Sequence, residues 1–211
     1  MNKFDFTSLA LIVLMFTAAA YFYSMLPDKI ASHWNAQGQV DGWMEKGLAL
    51  LLMPAITLAA FLLFYAIPSI DPLKKNIAAF KKYYDGFKLV FTLFFAYVFA
   101  MTLAFNFGYR FNFFTLLAPG MAVLFYYIGV LMEHAERNWF VGIRTPWTLS
   151  SDRVWKKTHR LGALLFKIIA VLVLASAAFP EYAIYLFLIP VIAVAAILFI
   201  YSYFEYAKEK R

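Results

Sequence analysis

RNWFVGIRTPWTLSSDRVWKKTHR, Arg137–Arg160, holds three of the chain's five tryptophans, six basic residues and one acid. On either side lie long apolar runs, Phe111–Met132 before it and Leu161–Phe179 after it. A transmembrane helix needs about 20 mainly apolar residues, because the hydrocarbon core is about 30 Å thick and a helix rises about 1.5 Å per residue. Both runs qualify, so the quoted stretch connects two membrane spans. The second carries one charge, Lys167; four other runs of that size, all charge-free, occur at Phe6–Pro27, Gly47–Ile70, Leu89–Tyr109 and Tyr182–Phe204, which makes six in all. The composition agrees. The chain is 64% hydrophobic and 15% charged, where soluble domains average about 45–50% apolar and about 25% charged.

The charges then orient the bundle. With the N-terminus inside, sixteen of the nineteen Lys and Arg fall on the cytoplasmic side and only Lys29, Lys46 and Arg110 fall outside. Basic loops resist translocation. The expected fold is therefore an all-α integral membrane protein with six transmembrane helices, both termini cytoplasmic, located in the cell membrane as a multi-pass protein. Lys3, the apolar run and Ala18-Ala19-Ala20 also have the parts of a signal peptide. Tyr21-Phe22-Tyr23 prolongs that run to membrane length and favours a span. The net charge of +7 is distributed as topology and lipid contact require, with no sign of direct nucleic-acid binding. There is no cysteine, hence no disulfide framework or thiolate metal site.

Three polar segments interrupt the apolar runs. Leu26–Gly47 lies outside, with turn signals at Asn35–Gly38 and Asp41-Gly42. It reads as a compact interfacial loop. Asp71–Lys88 lies inside. Its lysine pairs Lys74/Lys75 and Lys81/Lys82 are seven apart and share one helical face, while Ile77, Phe80 and Tyr84 form the other. This predicts a basic amphipathic helix on the lipid surface. In the third segment Gly142 and Pro146 make Asn138–Leu149 irregular. Ser150 or Ser151 then caps a helix whose start favours Asp152. On that helix Arg153, Lys156, Lys157, Arg160 and Lys167 share a stripe opposite Trp155, His159, Gly162 and Phe166. Headgroup anchoring explains the composition. It explains less well the ordering of Trp139, Arg144, Trp147 and Trp155 around a Gly/Pro loop. Lys167 lies about 10 Å deeper than Arg160 at 1.5 Å per residue. Snorkelling to the surface and a buried functional partner both account for it.

Asn138-Trp139-Phe140, Gly142-Ile143-Arg144-Thr145-Pro146-Trp147-Thr148-Leu149-Ser150, Val154-Trp155 and Thr158-His159-Arg160 closely resemble the signature of the SdpI family. Leu26-Pro27, Ile30, His33-Trp34-Asn35, Gly38 and Asp41-Gly42 resemble the small uncharacterised extracytoplasmic module that precedes it. The resemblance implies six helices and a membrane immunity protein against a secreted sporulation-delaying toxin peptide. It also implies a signalling role in which the membrane protein captures a cytoplasmic repressor. The expected organisation is an N-terminal helical hairpin, 1–70, carrying the outer loop 26–47, and a four-helix region, 71–211, carrying the cytoplasmic signature loop 133–160. Under this reading His33, Trp34, Asn35 and Asp41 are candidates to meet a toxin peptide outside. Asn138, Trp139, Gly142, Arg144, Thr145, Pro146, Trp147, Trp155, His159 and Arg160 form the candidate cytoplasmic surface.

Catalysis is not expected, since the spans show no acid or histidine at mid-depth and no HExxH or phosphate-loop motif. No cofactor or metal is expected; Glu133, His134, Glu136 and His159 cluster too weakly to argue for one. A small-solute transporter or channel built around Lys167 is the alternative of a different class.

Overall fold

A computed structural model describes residues 1–210. Six of its helices are long and apolar enough to cross a membrane, and with their connections they run in the order α1 (Lys3–Phe22), β1 (Lys29–Trp34), β2 (Val40–Glu45), α2 (Lys46–Ile70), α3 (Lys74–Ala79), α4 (Lys81–Asn106), α5 (Phe113–His134), α6 (Pro146–Ser150), α7 (Asp152–Ser176) and α8 (Ala183–Glu209). Helices α3 and α6 are single short turns at the cytoplasmic end. The protein is an all-α multi-pass membrane protein, and its only regular sheet among the described residues is the hairpin β1–β2. In lipid a spanning segment must satisfy its backbone internally, which is why the apolar runs are helices. Their outward faces carry Val13, Leu14, Leu62, Val171 and Ile189, all exposed and suited to acyl chains.

Helix α1 packs on α2 and α4, α5 packs chiefly on α7, and α7 on α8, while α4 stands between the two groups and also contacts α5. The outer half of the first group is knit by Met15, Ala19, Leu26, Ile30, Leu50, Phe99 and Leu103. The cytoplasmic end is knit by Ile67, Ile77, Phe80, Tyr84, Leu131, Ala135 and Trp155. The apolar face expected for Asp71–Lys88 is thus buried against the bundle. The segment is not one continuous surface helix, because Phe80 leaves helical geometry (φ −112°, ψ 21°) and separates α3 from α4.

Two expectations need correction. The outer segment, expected as a compact interfacial loop, is built as a β-hairpin. Its strands pair antiparallel from Lys29–Glu45 to Trp34–Val40, with register shifts beside His33. The spans also begin earlier than the apolar windows do, at Lys3 and at Lys81. Asp5, Asp85 and Lys88, which lie outside the apolar windows, therefore fall within the helices and are buried. Lys88 bridges Asp5 of α1 and Asp85, reaching the latter at 2.8 Å. Asn2 joins them, donating from Nδ2 to Asp85 at 2.7 Å and forming a capping box with Asp5. Between helices in lipid there is no hydrophobic driving force, so this cluster and close packing fix α1 on α4.

Removing one member of a buried ion cluster costs about 3–5 kcal/mol, because the remaining charges lose their partner. Lys88→Met leaves buried Asp5 without an ion-pair partner and Asp85 with Lys81 alone. The variant is expected to unfold at markedly lower temperature in detergent, and Lys88→Met combined with Asp5→Asn is expected to recover part of the loss. Unchanged melting of the single variant contradicts this assignment.

Candidate functional site

The outer hairpin is held to the protein by two asparagines that the sequence reading did not single out. Asn106, at the end of α4, accepts from the Ala31 N–H at 2.7 Å and donates to the Ala31 carbonyl at 3.1 Å. Its amide thereby pairs with β1 as a neighbouring strand would. Asn112 caps α5 by accepting from the Thr115 N–H and donates to the Gln37 carbonyl at 3.1 Å. The turn itself is built by Asn35, whose Oδ1 accepts from the N–H of Gln37 and of Gln39, both at 3.0 Å. Gly38 completes it at φ +75°, a conformation in which L side chains are strained.

Of the four outer candidates, two hold the hairpin and two face outward. Asn35 forms the turn, and Trp34 stacks on Phe113 with centroids 3.9 Å apart. The Trp34 indole N–H is buried without an acceptor. His33 Nδ1 meets Asp41 Oδ1 at 2.5 Å, and both side chains are exposed. Trp43, on the second strand, is 62% exposed. A cavity of about 240 Å³ lies between the hairpin and helices α2, α4 and α5, lined in part by His33, Trp34, Met53, Thr102 and Phe113.

On the cytoplasmic side the segment between α5 and α7 has little regular structure, and side chains satisfy its backbone. Fully buried Asn138 accepts from the N–H of Phe140 and Val141 and donates to the carbonyls of Glu136 and Val141. Asp71 accepts from the Trp139 N–H at 2.9 Å, and Asn76 donates to the Arg137 carbonyl at 2.7 Å. These two contacts tie the segment to the α2–α3 corner. Trp155 Nε1 donates to the Ala135 carbonyl at 2.7 Å. His159 Nε2 accepts from the Ile143 N–H at 3.0 Å, while its Nδ1 faces the Trp155 carbonyl at 2.9 Å. A nitrogen that meets an N–H must accept and one that meets a carbonyl must donate, so the ring is the Nδ1–H tautomer. Trp155 and His159 stack at 3.9 Å.

The stretch expected to be irregular contains one helical turn, α6. Thr145 and Thr148 form a reciprocal capping box there, and Pro146 stands at the first helical position, where its missing N–H costs nothing. Thr145 also bonds to Ser202 of α8 at 3.0 Å, and Trp147 packs on Phe199 and Tyr203 of the same helix. Helix α7 starts where expected, with Ser151 as its cap, and it ends at Ser176 rather than Phe179. Of the stripe that helical periodicity sets opposite the cations, Trp155, His159 and Gly162 are buried and Phe166 is half-buried.

The candidate cytoplasmic residues thus divide. Asn138, Thr145, Trp155 and His159 are buried and hold the fold; Trp147 is half-buried against α8. Trp139, Arg144, Pro146 and Arg160 are exposed. Arg144 donates to the Trp139 carbonyl at 2.6 Å and fixes the loop tip. Gly142 sits between the sets at φ +116°. Lys167 does not end in the mid-bundle. Its Nζ reaches Glu133 at the cytoplasmic end of α5, at 2.6 Å. Among the described residues no group of His, Asp and Glu is arranged to hold a metal ion.

Residues 134–202, from the end of α5 through most of α8, match the SdpI/YfhL protein family. Residues 10–58, which include the hairpin, match a domain of unknown function, DUF1648. The chain is similar along nearly its whole length to Immunity protein SdpI of Bacillus subtilis (strain 168). Identity is 25% over 207 residues, covering 98% of this chain and 97% of that protein. No solved structure matches. The family region coincides with the self-bonded cytoplasmic segment and the two helices that clasp it.

A Cβ on Gly142 would stand 2.3 Å from His159 Nε2, on a backbone that L residues rarely adopt. Such strain costs about 1–3 kcal/mol. Gly142→Ala is expected to lower thermal stability in detergent, while Arg144→Ala, at the exposed tip, leaves it near the parent value. Equal melting of Gly142→Ala and the parent contradicts this division of roles.

Proposed function

We propose that this protein confers immunity to a secreted antimicrobial toxin peptide, with the outer hairpin as its point of contact. The similarity to an immunity protein across 98% of the chain carries the reading. The hairpin supports it physically. It is rigidly seated on α4 and α5, and it presents Trp43 with the His33–Asp41 pair toward the outside. An exposed aromatic beside a polar pair is the composition of a peptide-binding hot spot, since the ring supplies area and the pair supplies direction. Trp34 and Asn35 serve the same site by holding the hairpin in shape.

The same reading extends to signalling. The exposed Trp139, Phe140 and Arg144 form a fixed loop tip on the cytoplasmic side, of the kind that a repressor protein would grip. Helix α5 begins at the hairpin through Asn112 and ends at the family segment through Ala135, so it connects the two faces directly. The organisation proposed is an N-terminal hairpin module, 1–70, for recognition and a C-terminal region, 71–211, for the response. The protein acts by binding, with no reaction step.

Truncating an interface hot spot costs about 2 kcal/mol or more, roughly thirtyfold in Kd. A toxin-sensitive bacterium expressing this protein is expected to survive the sporulation-delaying peptide. Trp43→Ala, made at normal levels, is expected to lose that protection, and Arg144→Ala to retain it. Death of cells that carry well-expressed parent protein contradicts the reading.

A further inference from the structure

We propose that the cleft on the open face of α7 binds one anionic phospholipid of the cytoplasmic leaflet, its phosphodiester held by Arg160. The cleft measures about 550 Å³ and is lined by Glu133, Lys157, Arg160, Leu161, Leu164, Lys167 and Tyr201. Two of its three cations have carboxylate partners. Lys157 pairs with Glu205 of α8, which Lys208 also meets, and Lys167 pairs with Glu133 of α5. Arg160 is exposed and has no hydrogen-bond or ion-pair partner among the described residues. The cleft is therefore net positive, and its unpartnered cation is the side chain whose planar fork fits two phosphate oxygens.

A free phosphate would meet the charge, but the wall continues as a lipid would need. Below Arg160 the same face of α7 runs on through Leu164, Ile168 and Val171, all exposed and spaced at one helical turn. Helices α5 and α8 flank it on either side. A headgroup at Arg160 thus has an acyl path beneath it, at the depth where the cytoplasmic leaflet places one. Matched charge at the top and continuous apolar surface below point to a monoanionic phospholipid and away from a soluble anion. The site lies beside the buried Trp155–His159 stack without sharing its contacts, and it goes beyond the immunity reading.

The test is native mass spectrometry of the intact protein released from detergent. Phosphatidylglycerol and phosphatidylcholine with identical chains are supplied in equal amounts. A phosphatidylglycerol adduct several times more abundant than the phosphatidylcholine adduct is expected. Arg160→Gln should reduce that preference severalfold, and Arg153→Gln, an exposed arginine outside the cleft, should leave it intact. Millimolar inorganic phosphate should not displace the adduct. Equal adducts of the two lipids, or a preference unchanged in Arg160→Gln, overturn the proposal. Displacement by phosphate alone reassigns the cleft to a soluble anion and also overturns it.

Discussion

Backbone that leaves a helix at the end of a membrane bundle must find other partners for its N–H and C=O groups, and this constraint organises the cytoplasmic half of the protein. Between α5 and α7 the chain runs without a helical ladder through Ala135–Thr145. Asn138 folds the segment on itself, His159 receives the Ile143 N–H, and Trp155 closes on the Ala135 carbonyl. Asp71 and Asn76 answer for the neighbouring groups from another corner of the molecule. The loop is therefore as specified as a helix would be, and its shape depends on side chains from α3, α7 and the end of α2. Polar groups satisfied in this manner rigidify a unique arrangement, whereas one missing partner leaves a costly orphan.

The outer face repeats the solution with different residues. Two six-residue strands alone would be marginal in water. Here the hairpin gains Asn106 as a substitute strand on one edge and Asn112 at its tip, while Trp34 stacks on Phe113. Both faces thus consist of a rigid base of buried polar contacts that lifts a few exposed aromatic and charged residues into solvent. Helices α4 and α5 supply the base outside, and α7 with α8 supplies it inside. The protein joins two presented surfaces through one packed bundle, as the proposed reception of a peptide outside and a response inside would require.

The six spans were legible in the sequence because apolar length acts over whole segments. The opposed faces of α7 were legible for a related reason: helical period alone separates Trp155, His159 and Gly162 from Arg153, Lys156 and Lys157. The buried cluster of Asp5, Asp85 and Lys88 was not. Each residue sits at the edge of an apolar run, and only tertiary pairing across α1 and α4 draws it inside. The hairpin was hidden because its strands are short and irregular in register beside His33, and because its partners, Asn106 and Asn112, flank a distant turn. The role of Asp71 was missed in the same way, since its value lies in which backbone group it meets. The resemblance to the SdpI family pointed to the segment that the family match covers. It did not separate buried Asn138 and His159 from exposed Trp139 and Arg144, because a shared motif does not distinguish a residue that holds the loop from one that the loop presents.

Side chains that answer for its backbone hold the segment between α5 and α7, with His159 at the junction of loop and helix. Nitrogen NMR of the protein labelled at its three histidines tests it most directly, with the His159 ring assigned by its loss in His159→Gln. The account predicts a neutral ring protonated at Nδ1 and unprotonated at Nε2, with a coupling or shift marking Nε2 as acceptor of the Ile143 amide. A ring protonated at Nε2, or one exchanging freely between tautomers as a solvated imidazole does, would contradict it.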